Sequence, residues 1–120
     1  MEKTTLVIGA SANVARFSNK CVYALSAHQI PVVAIGLREG MIGSTSILTG
    51  FPKLEGIHTV SLYLNPANQV NYFNFIQELN PARVIFNPGT ENPAFHNILI
   101  SKGIEVRNDC TLIMLGFGDF

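Results

Sequence analysis

The chain has 120 residues, with eight Lys or Arg and eight Asp or Glu, so its formal net charge is zero. Hydrophobic residues make up 48% of it and charged residues only 13%, which excludes a disordered chain and limits the protein to one domain, residues 1–120. The neutral balance also argues against nucleic acid or an anionic membrane as a partner, because an excess of Lys and Arg holds such partners.

The zero net charge hides a difference between the two halves of the chain. Residues 1–54 hold five basic and two acidic side chains, a balance of +3, whereas residues 55–120 hold three basic and six acidic ones, a balance of −3. The positive half is consistent with one local pocket for a ligand that carries a few phosphates.

Two cysteines, Cys21 and Cys110, lie far apart and form no C-x-x-C pair, so neither a disulfide framework nor a zinc site is predicted. No apolar run reaches the roughly 18 residues that a membrane span needs. The first residues run into a strand-like segment rather than a signal peptide. We therefore expect a cytoplasmic protein.

Short apolar runs alternate with helical segments. The runs predict strands at residues 6–8, 32–35, 59–64, 83–86 and 104–106. The intervening spacing predicts helices at residues 17–29, 66–79 and 93–102, and a last helical turn or two at 109–115. Ser18 or Asn19 is expected to cap the first helix. Residues 37–56 are predicted to be irregular, with a short strand near 46–49.

This alternation predicts an α/β fold with a doubly wound, mostly parallel sheet of about five strands and helices on both faces. We expect the strand order 3-2-1-4-5, numbered along the chain. Ligands of such sheets bind beyond the carboxyl ends of the strands, near the point where the strand order reverses. The residues that follow each strand are therefore the candidate site.

The loop after the first strand suits a phosphate. Gly9 allows a tight turn, and the small residues Ala10 and Ser11 let the backbone approach a ligand closely. The start of the next helix favours an anion, and Arg16 adds a planar cation. A turn of small residues with a surface arginine explains the same loop without a ligand.

The end of the second strand discriminates among nucleotides. The first loop keeps only one glycine of the G-x-G-x-x-G fingerprint, and residues 36–38 lack the Asp or Glu that commonly holds the ribose of NAD at this strand tip. Arg38 instead favours a ribose that carries a phosphate, as in NADP or coenzyme A (CoA). A solvated loop charge is the alternative for Arg38.

The other strand ends carry amides. Asn65, which precedes Pro66, and Asn87 are able to bond an adenine edge, a ribose or an amide. Asn before Pro is also common as a turn former and helix cap.

Several segments together resemble the small stand-alone CoA-binding proteins, which are similar to the CoA-binding domain of the succinyl-CoA synthetase alpha subunit. Residues 9–19 resemble the family loop G-A-S-x-[ND]-P-x-[RK]-x-S. Residues 32–38 resemble a strand that ends in V-N-P-K, with Arg38 in the basic position. Residues 50–54 resemble A-Y-P-S-L, and residues 108–110 resemble D-R-C.

The resemblance implies a Rossmann-like fold and a site for CoA or acyl-CoA. It implies CoA contacts at Gly9, Ala10, Ser11, Asn13, Arg16, Ser18, Gly36 and Arg38. Gly36 and Leu37 replace the Asn-Pro of the family strand end. Asn65 and Pro66 occupy a loop where the family often has an arginine before proline, and Asn87 occupies another strand end of the same site.

No catalytic residue and no metal site are predicted, because the three histidines are scattered and Cys110 has no predicted histidine beside it. The leading hypothesis is a module that binds CoA or acyl-CoA without catalysis. The alternatives are an NADP-binding reductase-like protein and an interaction subunit without ligand, either as a homo-oligomer or with a partner. For the last, residues 116–120 are expected to form a flexible tail that exposes two phenylalanines, and this tail docks either on the protein's own core or on a partner.

Overall fold

A seven-stranded sheet forms the centre of the protein, of which the computed structural model describes residues 2–120. The strands lie in the order β3-β4-β2-β1-β5-β6-β7, and all pair in parallel except β3, which is antiparallel to β4. Their bounds are β1 Thr5–Ile8, β2 Val32–Ile35, β3 Gly40–Ile42, β4 Thr45–Leu48, β5 Thr59–Leu62, β6 Arg83–Phe86 and β7 Glu105–Asn108.

Helices cover both faces of this sheet. The α-helices are α1 Phe17–Ala27, α2 Pro66–Gln69, α3 Phe73–Leu79, α4 Pro93–Ser101 and α5 Thr111–Gly116, and the 3-10 turn Val70–Tyr72 joins α2 to α3. The helix predicted at 66–79 is therefore interrupted by a 3-10 turn. None of the helices within residues 2–120 has the length and apolar character needed to cross a membrane.

Each face of the sheet has its own hydrophobic cluster. On one face, α3 and α4 bury Ile76, Phe95 and Leu99 against the strands. On the other face, α1 and α5 contribute Cys21 and Leu115, among others. Strands β1, β5 and β6 are buried along their whole length, as expected of parallel strands between two helical layers.

The strand number and order differ from the prediction of about five strands in the order 3-2-1-4-5. The predicted order placed residues 59–64 next to β2, on the side of β2 that faces away from β1. In the structure these residues form β5, which instead pairs with β1 on the side opposite β2. The place outside β2 belongs to β4, onto which β3 folds back as the edge strand. The short strand expected near 46–49 corresponds to β4, at Thr45–Leu48. Its hairpin with β3 was not predicted, because both strands are short and partly exposed and their apolar residues form no continuous run.

The C-terminal segment folds back to the amino edge of the sheet. Arg83 is only 5% exposed; its Nε donates to Thr59 Oγ1 at 3.0 Å and its Nη1 to the Phe120 carbonyl oxygen at 3.1 Å. The Phe120 ring lies 4.3 Å from the guanidinium carbon. Phe120 therefore packs on its own chain, which is one of the two alternatives for the tail, while Phe117 is 82% exposed.

Candidate functional site at the carboxyl edge of the sheet

The parallel strands end level with one another. Ile8 is in register with both Ile35 and Leu62, and Leu62 is in register with Phe86. The residues that follow β1, β2, β5 and β6 consequently meet at one edge of the sheet. This carboxyl edge brings together the loops that hold the predicted site residues.

Two glycines bring the first loop into contact with its neighbours. Gly9 has φ +96°, and a Cβ there would lie 3.0 Å from the backbone carbon of Tyr63. A Cβ at Gly36 would lie only 2.3 Å from the Ala10 carbonyl oxygen. The amides of Gly9 and Ala10 both donate to the Ile35 carbonyl, each at 2.9 Å. The first loop is thus fixed to the tip of β2, and the Asn of the family pattern would not fit at Gly36 without a shift of that loop.

The first loop is ordered by its own side chains. Ser11 Oγ accepts from the Asn13 amide at 3.1 Å, and Asn13 Oδ1 accepts from the Ala15 amide at 3.0 Å. Asn19 Nδ2 donates to the Ser11 carbonyl at 2.9 Å. A ligand would therefore meet a loop whose conformation is already set, which lowers the entropy cost of binding.

The start of α1 differs from the expected cap. Arg16, not Ser18 or Asn19, is the N-cap residue, and no side chain caps the helix. Ser18 and Asn19 lie in the first turn and are 4% and 3% exposed. Since no side chain occupies the helix N-terminus, its amides and dipole are available to an anion.

Three of the five cations of the positive half, Arg16, Lys20 and Arg38, lie at this same edge. Arg16 and Arg38 are exposed, and neither forms an ion pair with any residue in the range 2–120. Lys20 is exposed on α1, and its Nζ donates to the Val14 carbonyl at 2.9 Å. The first loop is consequently flanked by two arginines that are not neutralised within the described chain.

The amides at the other strand ends have partners within the protein. Asn65 caps α2 by accepting from the Asn68 amide at 3.0 Å, with Pro66 as the first helical residue. Asn87 is 2% exposed; its Nδ2 donates to Ser61 Oγ at 2.9 Å and to the Leu62 carbonyl at 2.8 Å. Its Oδ1 accepts from the Thr111 amide at 2.9 Å. The Asn87 side chain therefore links the end of β6 to β5 and to α5.

Gln69 stabilises the loops that follow β5 and β6 at the carboxyl edge. It is fully buried, and its Nε2 donates to the carbonyls of Leu64 at 2.8 Å and Thr90 at 2.6 Å. Its Oε1 accepts from Asn92 Nδ2 at 3.0 Å. These bonds tie the loop after β5 to the loop after β6. A glutamine inside a predicted helix gives no indication of such a role.

The Tyr63 hydroxyl and the Cys21 thiol, beneath the edge, are held in their neutral forms. Burial raises the pKa of the Cys21 thiol to about 11 and also raises the pKa of Tyr63. The Tyr63 hydroxyl is buried without a hydrogen-bond partner among the described residues. Cys110, half-buried, precedes α5 as its N-cap, and the hydrogen bond from Arg107 lowers the pKa of the adjacent Asp109.

Among the surface cavities, one of about 550 Å³ lies between residues 51–54 and α3. A smaller one, of about 150 Å³, lies at the carboxyl edge, beside the start of α4. Its lining residues are Glu91, Asn92, Pro93, His96, Asn97 and Asn108. Within residues 2–120, no three His, Cys, Asp or Glu side chains are arranged to hold a metal ion.

Comparison with known proteins places the chain in a family. A family model described as a CoA binding domain matches residues 3–116. A crystal structure described only as an uncharacterized protein is 40% identical, with 100% of this chain and 99% of that chain covered and a TM-score of 0.97. The chain belongs to the family of CoA binding domains, with a Rossmann-like α/β fold.

More distant structures share the fold alone. One from Thermus thermophilus is 19% identical, with 99% of this chain and 91% of that chain covered and a TM-score of 0.86. A hypothetical protein from Pyrococcus horikoshii OT3 is 20% identical, with coverages of 93% and 80% and a TM-score of 0.83. A search of the curated proteins found no match.

Proposed function

We propose that this protein binds CoA or an acyl-CoA at the carboxyl edge of its sheet, without catalysis of its own. The observation that carries the proposal is the pair of exposed, unpaired arginines, Arg16 and Arg38, on either side of a self-ordered loop at the start of α1. Family membership supports the choice of CoA among the phosphorylated nucleotides.

In this proposal the pyrophosphate lies on the first loop, against the amides at the start of α1 and the guanidinium of Arg16. Gly9, Ala10, Ser11 and Asn13 form the floor of that loop. Ser18, buried in the first turn of α1, would support the loop from below.

Arg38, at the end of β2, would hold the 3′-phosphate of the ribose. Gly36 keeps β2 close to the first loop, so both phosphate-binding elements lie on adjacent strands. Asn65, Pro66 and Asn87 would line the path of the pantetheine arm, with Asn87 acting mainly through the shape of the wall it stabilises.

Calorimetric titration with CoA and with dephospho-CoA, which lacks the 3′-phosphate, tests this proposal. Because a charge-assisted hydrogen bond to phosphate contributes about 1.5–3 kcal/mol, wild type should bind CoA at least tenfold more tightly than dephospho-CoA. Arg38→Ala should bind the two ligands equally. Lys102→Ala, which removes an exposed cation beyond the end of α4, is the matched control and should behave as wild type.

Two results would contradict the proposal. No heat with CoA at millimolar concentration would exclude CoA binding, and equal binding of both ligands by wild type would remove the Arg38 contact. A titration with NADPH tests the alternative hypothesis of an NADP-binding, reductase-like protein. A change in NADPH fluorescence, together with no heat from CoA, would favour that hypothesis.

A further inference from the structure

We infer that the small cavity beside α4 receives the acyl end of the bound thioester and selects short acyl groups that carry a hydroxyl. This inference rests on the proposed function. The cavity lies between the start of α4 and Asn108, the last residue of β7. It is therefore at the same edge of the sheet as the phosphate-binding loop, but at its opposite end.

The strand order gives the distance between the phosphate-binding first loop and the small cavity. From β1 to β7 the sheet passes through β5 and β6, which is three strand spacings, or roughly 14 Å. A fully extended phosphopantetheine arm is as long as about four residues of extended peptide, also roughly 14 Å. An arm that starts at a pyrophosphate on the first loop and follows the edge would thus end at the cavity.

The cavity wall is polar and partly free of internal partners. Asn92 is committed to the N-cap of α4 and to Gln69, and Glu91 Oε1 accepts from the Gly89 amide at 2.8 Å. The side chains of His96, Asn97 and Asn108 form no hydrogen bond with another described residue. These free groups can both donate to and accept from a hydroxyl.

The chemistry of the wall restricts the acyl group. Pro93 is the one apolar residue among those that line the cavity, so a long alkyl chain would leave the free polar groups unpaired. The Glu91 carboxylate disfavours a second carboxylate close to it. A volume of about 150 Å³ corresponds to about five water molecules, which suits an acyl group of three or four carbons with a hydroxyl.

Competitive titration with three acyl-CoAs tests the inference. Butyryl-CoA and 3-hydroxybutyryl-CoA differ by one hydroxyl, and octanoyl-CoA tests length. We expect 3-hydroxybutyryl-CoA to bind about fivefold to tenfold more tightly than butyryl-CoA, and octanoyl-CoA to bind less tightly than either. Asn108→Leu should reduce the ratio between the two four-carbon ligands towards one, whereas Asn74→Leu, at an exposed position of α3 outside this cavity, should keep the wild-type ratio.

The outcomes separate this inference from the proposed function. If CoA binds but hydroxyl and chain length make no difference, or if octanoyl-CoA binds most tightly, the acyl cavity is wrong and CoA binding stands. If wild type binds none of the CoA ligands, both are overturned. The comparison among ligands on wild type does not depend on the fold of any variant.

Discussion

The two edges of the sheet use arginine in opposite ways. At the amino edge, Arg83 is buried, bonded to Thr59 and covered by Phe120. At the carboxyl edge, Arg16 and Arg38 are exposed and form no ion pair within residues 2–120. The buried arginine stabilises the fold, whereas the exposed ones are available to a ligand.

The difference shows that net charge alone says little about partners. The chain is neutral, yet Arg83 is used internally, whereas Arg16 and Arg38 form no ion pair within residues 2–120 and lie at the edge where a parallel sheet binds ligands. Placement relative to the strand ends, rather than the sum of charges, separates structural cations from functional ones. Substitutions at each edge test this comparison, and we expect the largest effect at Gly36.

Gly36→Ala should disrupt the carboxyl edge most. Its Cβ would lie 2.3 Å from the Ala10 carbonyl oxygen, so the first loop must move away from β2. Overpacking of this kind costs about 3 kcal/mol of unfolding free energy, and we expect CoA affinity to fall with it. Urea denaturation and calorimetry measure the two effects.

Gly40→Ala is the matched control for that substitution. A Cβ at Gly40 would meet the Ala12 side chain at 3.4 Å and Ile47 Cδ1 at 3.7 Å, both ordinary contacts, so stability should change by less than about 0.5 kcal/mol. Equal effects of the two alanines would show that the Gly36 contact with the first loop is not a constraint.

Arg83→Ala tests the amino edge. It removes the hydrogen bonds to Thr59 and Phe120 and opens a gap beneath the Phe120 ring, so unfolding free energy should fall by about 2 kcal/mol. Arg38→Ala should leave it within about 0.5 kcal/mol of wild type. If both arginines contributed equally to stability, the contrast between the edges would be lost.

Alkaline pH should weaken the layer between α1 and the carboxyl edge. The Cys21 thiol has an ordinary pKa of 9.0 and a folded-state pKa of about 11, so between these values only the unfolded chain ionises. The stabilisation is complete below pH 9 and is lost as pH rises towards 11, by about 2 kcal/mol. Tyr63, whose pKa is also raised by burial, acts in the same direction.

Denaturant titrations at about pH 8 and pH 11 measure this loss. Cys21→Ala should show a smaller fall in stability between the two than wild type. Val22→Ala removes an equally buried side chain with no ionisable group, so it should lower stability at both pH values and keep the wild-type fall. The same fall in all three proteins would contradict the assignment to Cys21.

Much of the fold was predictable because the central strands are continuous apolar runs. β1, β2 and β6 lie at or within one residue of their predicted bounds, and Asn65 and Pro66 begin a helix as expected. The predicted position of β5 in the sheet was wrong, because the strand order depends on the β3–β4 hairpin. The strands of this hairpin are short and partly exposed, so their hydrophobic residues show no clear periodicity.

The site was less predictable because its geometry depends on contacts distant in sequence. Small residues and arginines after strands indicated the carboxyl edge, but no local pattern shows that Gly36 makes room for the Ala10 carbonyl. Nor does one show that the Asn87 amide is taken by Ser61, Leu62 and Thr111. Whether the eleven predicted residues contact CoA stays a prediction.

Amide chemical-shift mapping of the labelled protein during a CoA titration tests the central claim most directly. We predict the largest changes at residues 9–16 and 36–38, with the amides of Thr59, Arg83 and Glu105 at the amino edge unmoved. Changes concentrated at the amino edge or in the groove between residues 51–54 and α3, or no changes at saturating CoA, would contradict it.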